Sequence, residues 1–152
     1  MSWNQGSAEV DELLSRGKLE KVPPSLDGAR ALVQQARNHL DSVQLIADLD
    51  VELAYDGLHS ANRKALTAVP LAQGLRPTRE GGHTAVSEAV KAQLDPPLGR
   101  VLAPYGRIRR QRNDGDYLQE RPATPDDVRQ DLPLCTAIVD AAEKVLGQMP
   151  SY

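Results

Sequence analysis

The sequence predicts an all-α fold, a single-domain helical bundle of about five to six helices. Three observations carry this expectation. Apolar residues recur at three- and four-residue spacings through most of the chain, no segment sustains period-two alternation, and capping residues with Pro or Gly punctuate the periodic stretches. A chain of 152 residues fits one domain, and such a domain buries roughly 68 to 70% of the surface that its unfolded form exposes. Residues 1–152 are therefore read as one domain with its core over about 8–148.

The elements follow in order. A short helix is expected around 8–16, VDELLSRG, with Gly17 as its stop. Ala29, Leu32, Val33, Ala36, Leu40, Val43 and Ala47 give a long helix over about 25–47, with Ser25 as N-cap after Pro23 and Pro24. Val51, Ala54, Tyr55, Leu58, Ala65, Leu66 and Val69 give a second, expected to end at Pro70, and the Gly- and Pro-rich stretch from Gly74 to Gly82 reads as a loop. Val86, Ala89, Val90 and Leu94 form a shorter helix that stops before Pro96 and Pro97, and Leu98, Val101, Leu102, Tyr105 and Ile108 form the next. Thr124-Pro125-Asp126-Asp127 reads as N-cap, Pro at the first helical position and two acids at the positive end of the helix dipole. That last helix runs to about 147, bent or restarted near Pro133.

Composition narrows function. Cys135 is the single cysteine, so no internal disulfide or cysteine-rich zinc site can form; its place on the apolar side of the last helix reads as a small core residue. This favours a reducing, cytoplasmic setting. The opening MSWNQGSAEVDELL lacks a basic n-region and an apolar core, and no apolar run approaches 18 residues, so neither secretion nor membrane insertion is expected. Net charge is -3, which places any nucleic-acid contact in a local patch. With no Phe, one Trp and four Tyr, base-stacking platforms are not expected. No metal and no cofactor are expected either. His39, His59 and His83 show no i, i+4 ligand spacing, and neither a GxSxG elbow nor a GxxxxGKS phosphate loop occurs. His39 reads as a surface or capping residue and His83 as part of a helix start, while His59 is open between packing and a site across the bundle. Tyr55 reads as packed at the bundle edge with its hydroxyl in water, and Arg76 and Arg79 add charge to the 70–82 loop.

The densest charge is RIRRQRNDGDY, residues 107 to 117. Arg107, Arg109, Arg110 and Arg112 cover most of a helical circumference and are the candidate nucleic-acid-binding residues, because guanidinium forks bind phosphate oxygens bidentately and stay charged. A solvated helix end, complementing the negative end of the dipole, is the plainer reading. Arg109, Asn113 and Tyr117 share one helix face, and a kink at Gly115 would bring Arg112, Asn113 and Tyr117 toward one phosphate.

Arg112-Asn113-x-x-x-Tyr117 after a basic helix resembles the signature of the HEPN superfamily, in which Arg and a polar residue precede a His. The stretch from Leu53 to Val90, with Tyr55-Asp56, Gly74-Leu75-Arg76-Pro77 and Gly82-His83, is similar to the same family, as is the TPDDVRQ helix start. The resemblance implies a helical bundle, a homodimer, binding of RNA or nucleotides, and a metal-independent endoribonuclease site formed by Arg112, Asn113 and position 117. It also implies a role in toxin-antitoxin pairs, with a possible nucleotidyltransferase partner, or in phage defence. Tyr117 stands where catalytic members carry His. A phenol with pKa near 10 is a poor base beside an imidazole near 6.5, so a degenerate site that binds phosphate without turnover is expected. The alternative is a non-catalytic helical dimerisation or protein-interaction module, with the arginines paired to acidic residues of a partner.

Overall fold

The computed structural model describes residues 4–114 and 122–152. In chain order these form α1 (Ser7–Ser15), β1 (Leu19–Lys21), α2 (Leu26–Ile46), α3 (Val51–Gln73), β2 (Leu75–Pro77), α4 (Gly82–Leu94), α5 (Gly99–Leu102), α6 (Pro104–Asp114) and α7 (Pro125–Val145). The predicted all-α bundle is therefore observed, with one small sheet added.

Helix starts follow the capping chemistry. The Ser25 hydroxyl accepts from the Gly28 amide at 3.0 Å and opens α2, and the Asp50 carboxylate accepts from the Leu53 amide at 3.0 Å and opens α3. At α7 the Thr124 hydroxyl accepts from the Asp127 amide, and the Asp127 carboxylate accepts from the Thr124 amide, a reciprocal capping box. α1 stops where predicted, with Gly17 at φ 69°. Its amide and that of Lys18 reach back to the Leu14 and Leu13 carbonyls.

Prolines end fewer helices than the sequence suggests. α3 runs through buried Pro70 and closes four residues later on Gly74, at φ 87°, and α7 continues through Pro133 without a restart. Each proline removes one ladder hydrogen bond, which tertiary packing of the flanking turns outweighs. Pro104 acts differently: it lacks the amide that would bond to the Arg100 carbonyl, so the single helix predicted over 98–108 is split into α5 and α6, with Pro104 opening the latter.

The loop predicted over 74–82 contains β2, which pairs antiparallel with β1 in the register Leu19↔Pro77, Glu20↔Arg76, Lys21↔Leu75. Three-residue strands are too short to show alternation. Leu19 and Leu75 turn inward onto Val10, Leu13, Ala85 and Ala89, making a small core between α1, the sheet and α4. Outside, Arg76 Nε meets Glu20 Oε1 at 2.5 Å, so the charge that Arg76 adds to this stretch is paired across the sheet.

The main core is aliphatic, as the composition implies, and lies between α2, α3 and α7 with α4 and α6 against it. Ala54, Ala61, Ala65 and Ala68 of α3 are fully buried, and their small side chains let α2 and α7 approach closely. Cys135 is buried in this core, and burial pushes its thiol up to about 12. Asn62 is buried there too, donating to the Cys135 carbonyl at 3.0 Å. No helix among the described residues is long and apolar enough to cross a membrane.

Candidate functional site

α6 is held by its apolar face. Tyr105 and Ile108 are buried, and the arginines occupy the remaining circumference. Their fates differ. Arg107 turns to α7, where its two terminal nitrogens donate to Asp131 at 2.6 and 3.1 Å. The Tyr55 hydroxyl of α3 donates to the same carboxylate at 2.6 Å. Asp131 is only 5% exposed, and Tyr55 is buried, so its hydroxyl is not in water as the sequence suggested: it reaches inward because an uncapped buried carboxylate would be costly. Burial first, and then this hydrogen bond, push the Tyr55 phenol far above its ordinary range. The hydrogen bond to Asp131 is the main reason that the Arg107 guanidinium is raised. Arg107 therefore serves as a strut between α6 and α7, with Tyr55 completing it from α3.

Arg112 turns to α3 instead, its Nε donating to Asp56 Oδ1 at 3.1 Å with both side chains about half exposed. Arg109 and Arg110 are exposed and form no ion pair among the described residues. Of the expected trio Arg112, Asn113 and Tyr117, the structure places Arg112; Asn113 is in the last turn of α6, and its side chain and Tyr117 lie outside the described residues.

Beneath Arg112 lies the residue that the sequence left open. His59 is 8% exposed and stacks on Tyr105 of α6, with ring centroids 5.8 Å apart and planes at 21°. Its Nδ1 is buried with no hydrogen-bond partner. An imidazolium would bury an unpaired N–H there, so the neutral ring with its proton on Nε2 is favoured. Burial lowers its pKa to about 4, helped by the charges of Arg112, Arg63, His83 and Arg109. His83, at the start of α4, is lowered by burial and then by Arg63 and Arg109. His39 is likewise lowered, by burial first and then by Lys64, whose ammonium donates to His39 Nε2 at 2.9 Å.

Helical phase explains why these groups meet. Asp56, His59 and Arg63 stand at i, i+3 and i+7 on α3, and Tyr105, Arg109 and Arg112 at i, i+4 and i+7 on α6. Each set lies along one face, and the His59 and Tyr105 stack joins the two faces. The result is a seam carrying three guanidinium groups, two imidazoles and one carboxylate, in a chain whose net charge is -3. Arg63, half-buried and without an ion pair among the described residues, was not singled out from sequence, although its spacing from His59 is the signal that could have found it. No group of three or more His, Cys, Asp or Glu residues is gathered as metal ligands among the described residues.

Comparison of the chain with protein-family models, with curated proteins and with solved structures finds no match.

Proposed function

We propose that this chain is a cytoplasmic, HEPN-like RNA- or nucleotide-binding protein, acting as a homodimer in a toxin-antitoxin or phage-defence setting. Its phosphate contacts come from Arg109, Arg110 and Arg112. The observation that carries the reading is the division of the arginines: Arg107 is engaged by buried Asp131, whereas Arg109 and Arg110 stand exposed, without a carboxylate partner among the described residues, on a net-negative chain. Fixed positive charge at that density favours an anion, and guanidinium geometry suits phosphate. Turnover is reduced in this reading, because Tyr117 replaces the motif imidazole and the neutral, buried His59 is a weak substitute base.

The test is binding and cleavage of purified tRNA and total RNA in EDTA by the protein and by Arg112→Ala. Binding that weakens log-linearly with salt and drops at least several-fold in the variant is expected, with little cleavage. Salt-independent binding, or equal affinity in the variant, overturns the reading. A second reading, a protein-interaction module, is favoured by one observation. Leu45, in the last turn of α2, and Leu49, in the turn that follows it, are 80% and 83% exposed, and a partner helix would cover them.

A further inference from the structure

Next to the cationic seam is a cleft of about 330 Å³ lined by Leu66, Ser87, Val90, Leu102, Tyr105 and Gly106, among others. It is mainly apolar and comparable in size to small-molecule sites. Its position relative to the seam is regular. Leu66 follows Arg63 by three residues on α3, Ser87 follows His83 by four on α4, and Tyr105 and Gly106 precede Arg109 by four and three on α6. On all three helices the seam residue, Arg63, His83 or Arg109, is thus one helical turn, about 5.4 Å, from the residue that lines the cleft. Tyr105 belongs to both, stacking on His59 while bordering the cleft.

We propose that the junction of α3, α4 and α6 is a nucleoside monophosphate site, in which the base enters the cleft beside Tyr105 and the phosphate lies on Arg63, His83, Arg109 and Arg112. This rests on the reading that the seam arginines meet phosphate, and it places one nucleotide unit where that reading specifies only charge. One turn of helix is commensurate with the offset between the base and the 5′-phosphate of a nucleotide. Apolar walls with a few polar groups, Ser87 at the side and Lys91 and Asp95 at the far end, suit a heteroaromatic base with exocyclic donors and acceptors. His59, nine-tenths buried, shares the α3 face with Asp56 and Arg63, and its neutral ring offers a donor from Nε2, whereas its orphaned Nδ1 is an acceptor and does not contact the phosphate. Three guanidinium groups within one seam repel one another, and a phosphate relieves that repulsion.

The experiment is titration of the full chain with 5′-AMP, adenosine and inorganic phosphate, followed by calorimetry and by the imidazole signals of His59 and His83. AMP is expected to bind and to move both imidazoles, with adenosine and phosphate each at least tenfold weaker. Two variants at tolerant positions separate the halves. A Cβ on Gly106 meets nothing closer than Arg110 Nη1 at 3.5 Å, so a side chain can start there, and Gly106→Leu is expected to extend into the cleft, while exposed Arg109→Gln removes a phosphate contact. Each should weaken AMP at least tenfold with an unchanged helical spectrum. AMP binding indifferent to Gly106→Leu overturns the cleft assignment while leaving the phosphate reading intact. RNA binding without AMP binding also overturns this inference alone, and loss of both overturns the two together. RNA carrying a terminal 5′-phosphate, compared with the same RNA lacking it, tells whether the nucleotide unit is free or terminal: competition with AMP by the first but not the second assigns the site to an RNA end, and by neither to a free nucleotide.

Discussion

Removal of Asp131 is the sharpest structural perturbation available in this molecule. Its carboxylate, 7% exposed on α7, accepts from both terminal nitrogens of Arg107 and from the Tyr55 hydroxyl, so one side chain ties α3, α6 and α7. In Asp131→Ala the Tyr55 hydroxyl is left buried without its acceptor, at about 1 to 3 kcal/mol. Breaking a buried ion pair costs about 3 to 5 kcal/mol when the remaining charge stays buried. Arg107 is 49% exposed, however, and regains water once released, which pulls the expected total down to about 3 kcal/mol. For a domain of this size that is a fall in Tm of about 6 to 12 °C. Urea and thermal unfolding followed by circular dichroism measure it. The cycle with Tyr55→Phe isolates the mechanism: in the wild type the Phe costs about 1 kcal/mol, and in the Asp131→Ala background it is neutral or stabilising, because it removes the orphaned hydroxyl. An Asp131→Ala loss below about 0.5 kcal/mol, the range of ordinary surface substitutions, would refute the strut.

His59 makes stability depend on pH. Its folded pKa of about 4 is below the ordinary 6.5, so the unfolded chain binds more protons between these values, and stability falls as pH drops through that window by up to about 3 kcal/mol. His59→Phe keeps the stack on Tyr105 and should flatten that part of the profile; an unchanged slope between pH 6.5 and 5 contradicts the assignment. Cys135, buried and with its thiol pushed up to about 12, should resist a thiol reagent in the native state and react on unfolding in urea, whereas fast native labelling would mean that the α7 core opens readily. Thr124→Ala removes the hydroxyl half of the α7 capping box and should cost about 1 kcal/mol in urea melts. Thr124→Ser should recover most of it.

How far the sequence could be read depended on whether the deciding interaction was local. The caps at Ser25 and Thr124, the stop at Gly17 and the core position of Cys135 rest on contacts within four residues or on a helical stripe, and all were legible. Pro70 and Pro133 misled because a proline's local cost was offset by packing from other helices, which no local rule contains. The strands at 19–21 and 75–77 escaped because their register is set by residues more than fifty positions apart. The same division applies to the site. The arginine run was evident, but its separation into a strut and a seam depends on Asp131 and Asp56, which sequence position alone does not connect to α6.

That separation follows from helical phase and decides what the run can do. Arg107 and Arg109 are two residues apart, hence about 200° around a helix with 3.6 residues per turn, so they must face different neighbours. One side of α6 meets a buried carboxylate on α7, and the other meets α3, where Asp56 is the acidic residue that, among the described residues, pairs with the seam of Arg63, Arg109 and Arg112. Two like charges cost about 4 kcal/mol at 4 Å and an effective dielectric of 20, and proportionally less farther apart, so three guanidinium groups around a neutral imidazole are an arrangement that folding alone would not favour. Asp56 offsets part of this through an exposed pair with Arg112 worth about 0 to 1 kcal/mol. A buried carboxylate on α7 and a half-exposed one on α3 thus give identical side chains on one helix different settings: Arg107 is held by a buried partner, and Arg112 by a solvent-exposed pair that is worth far less.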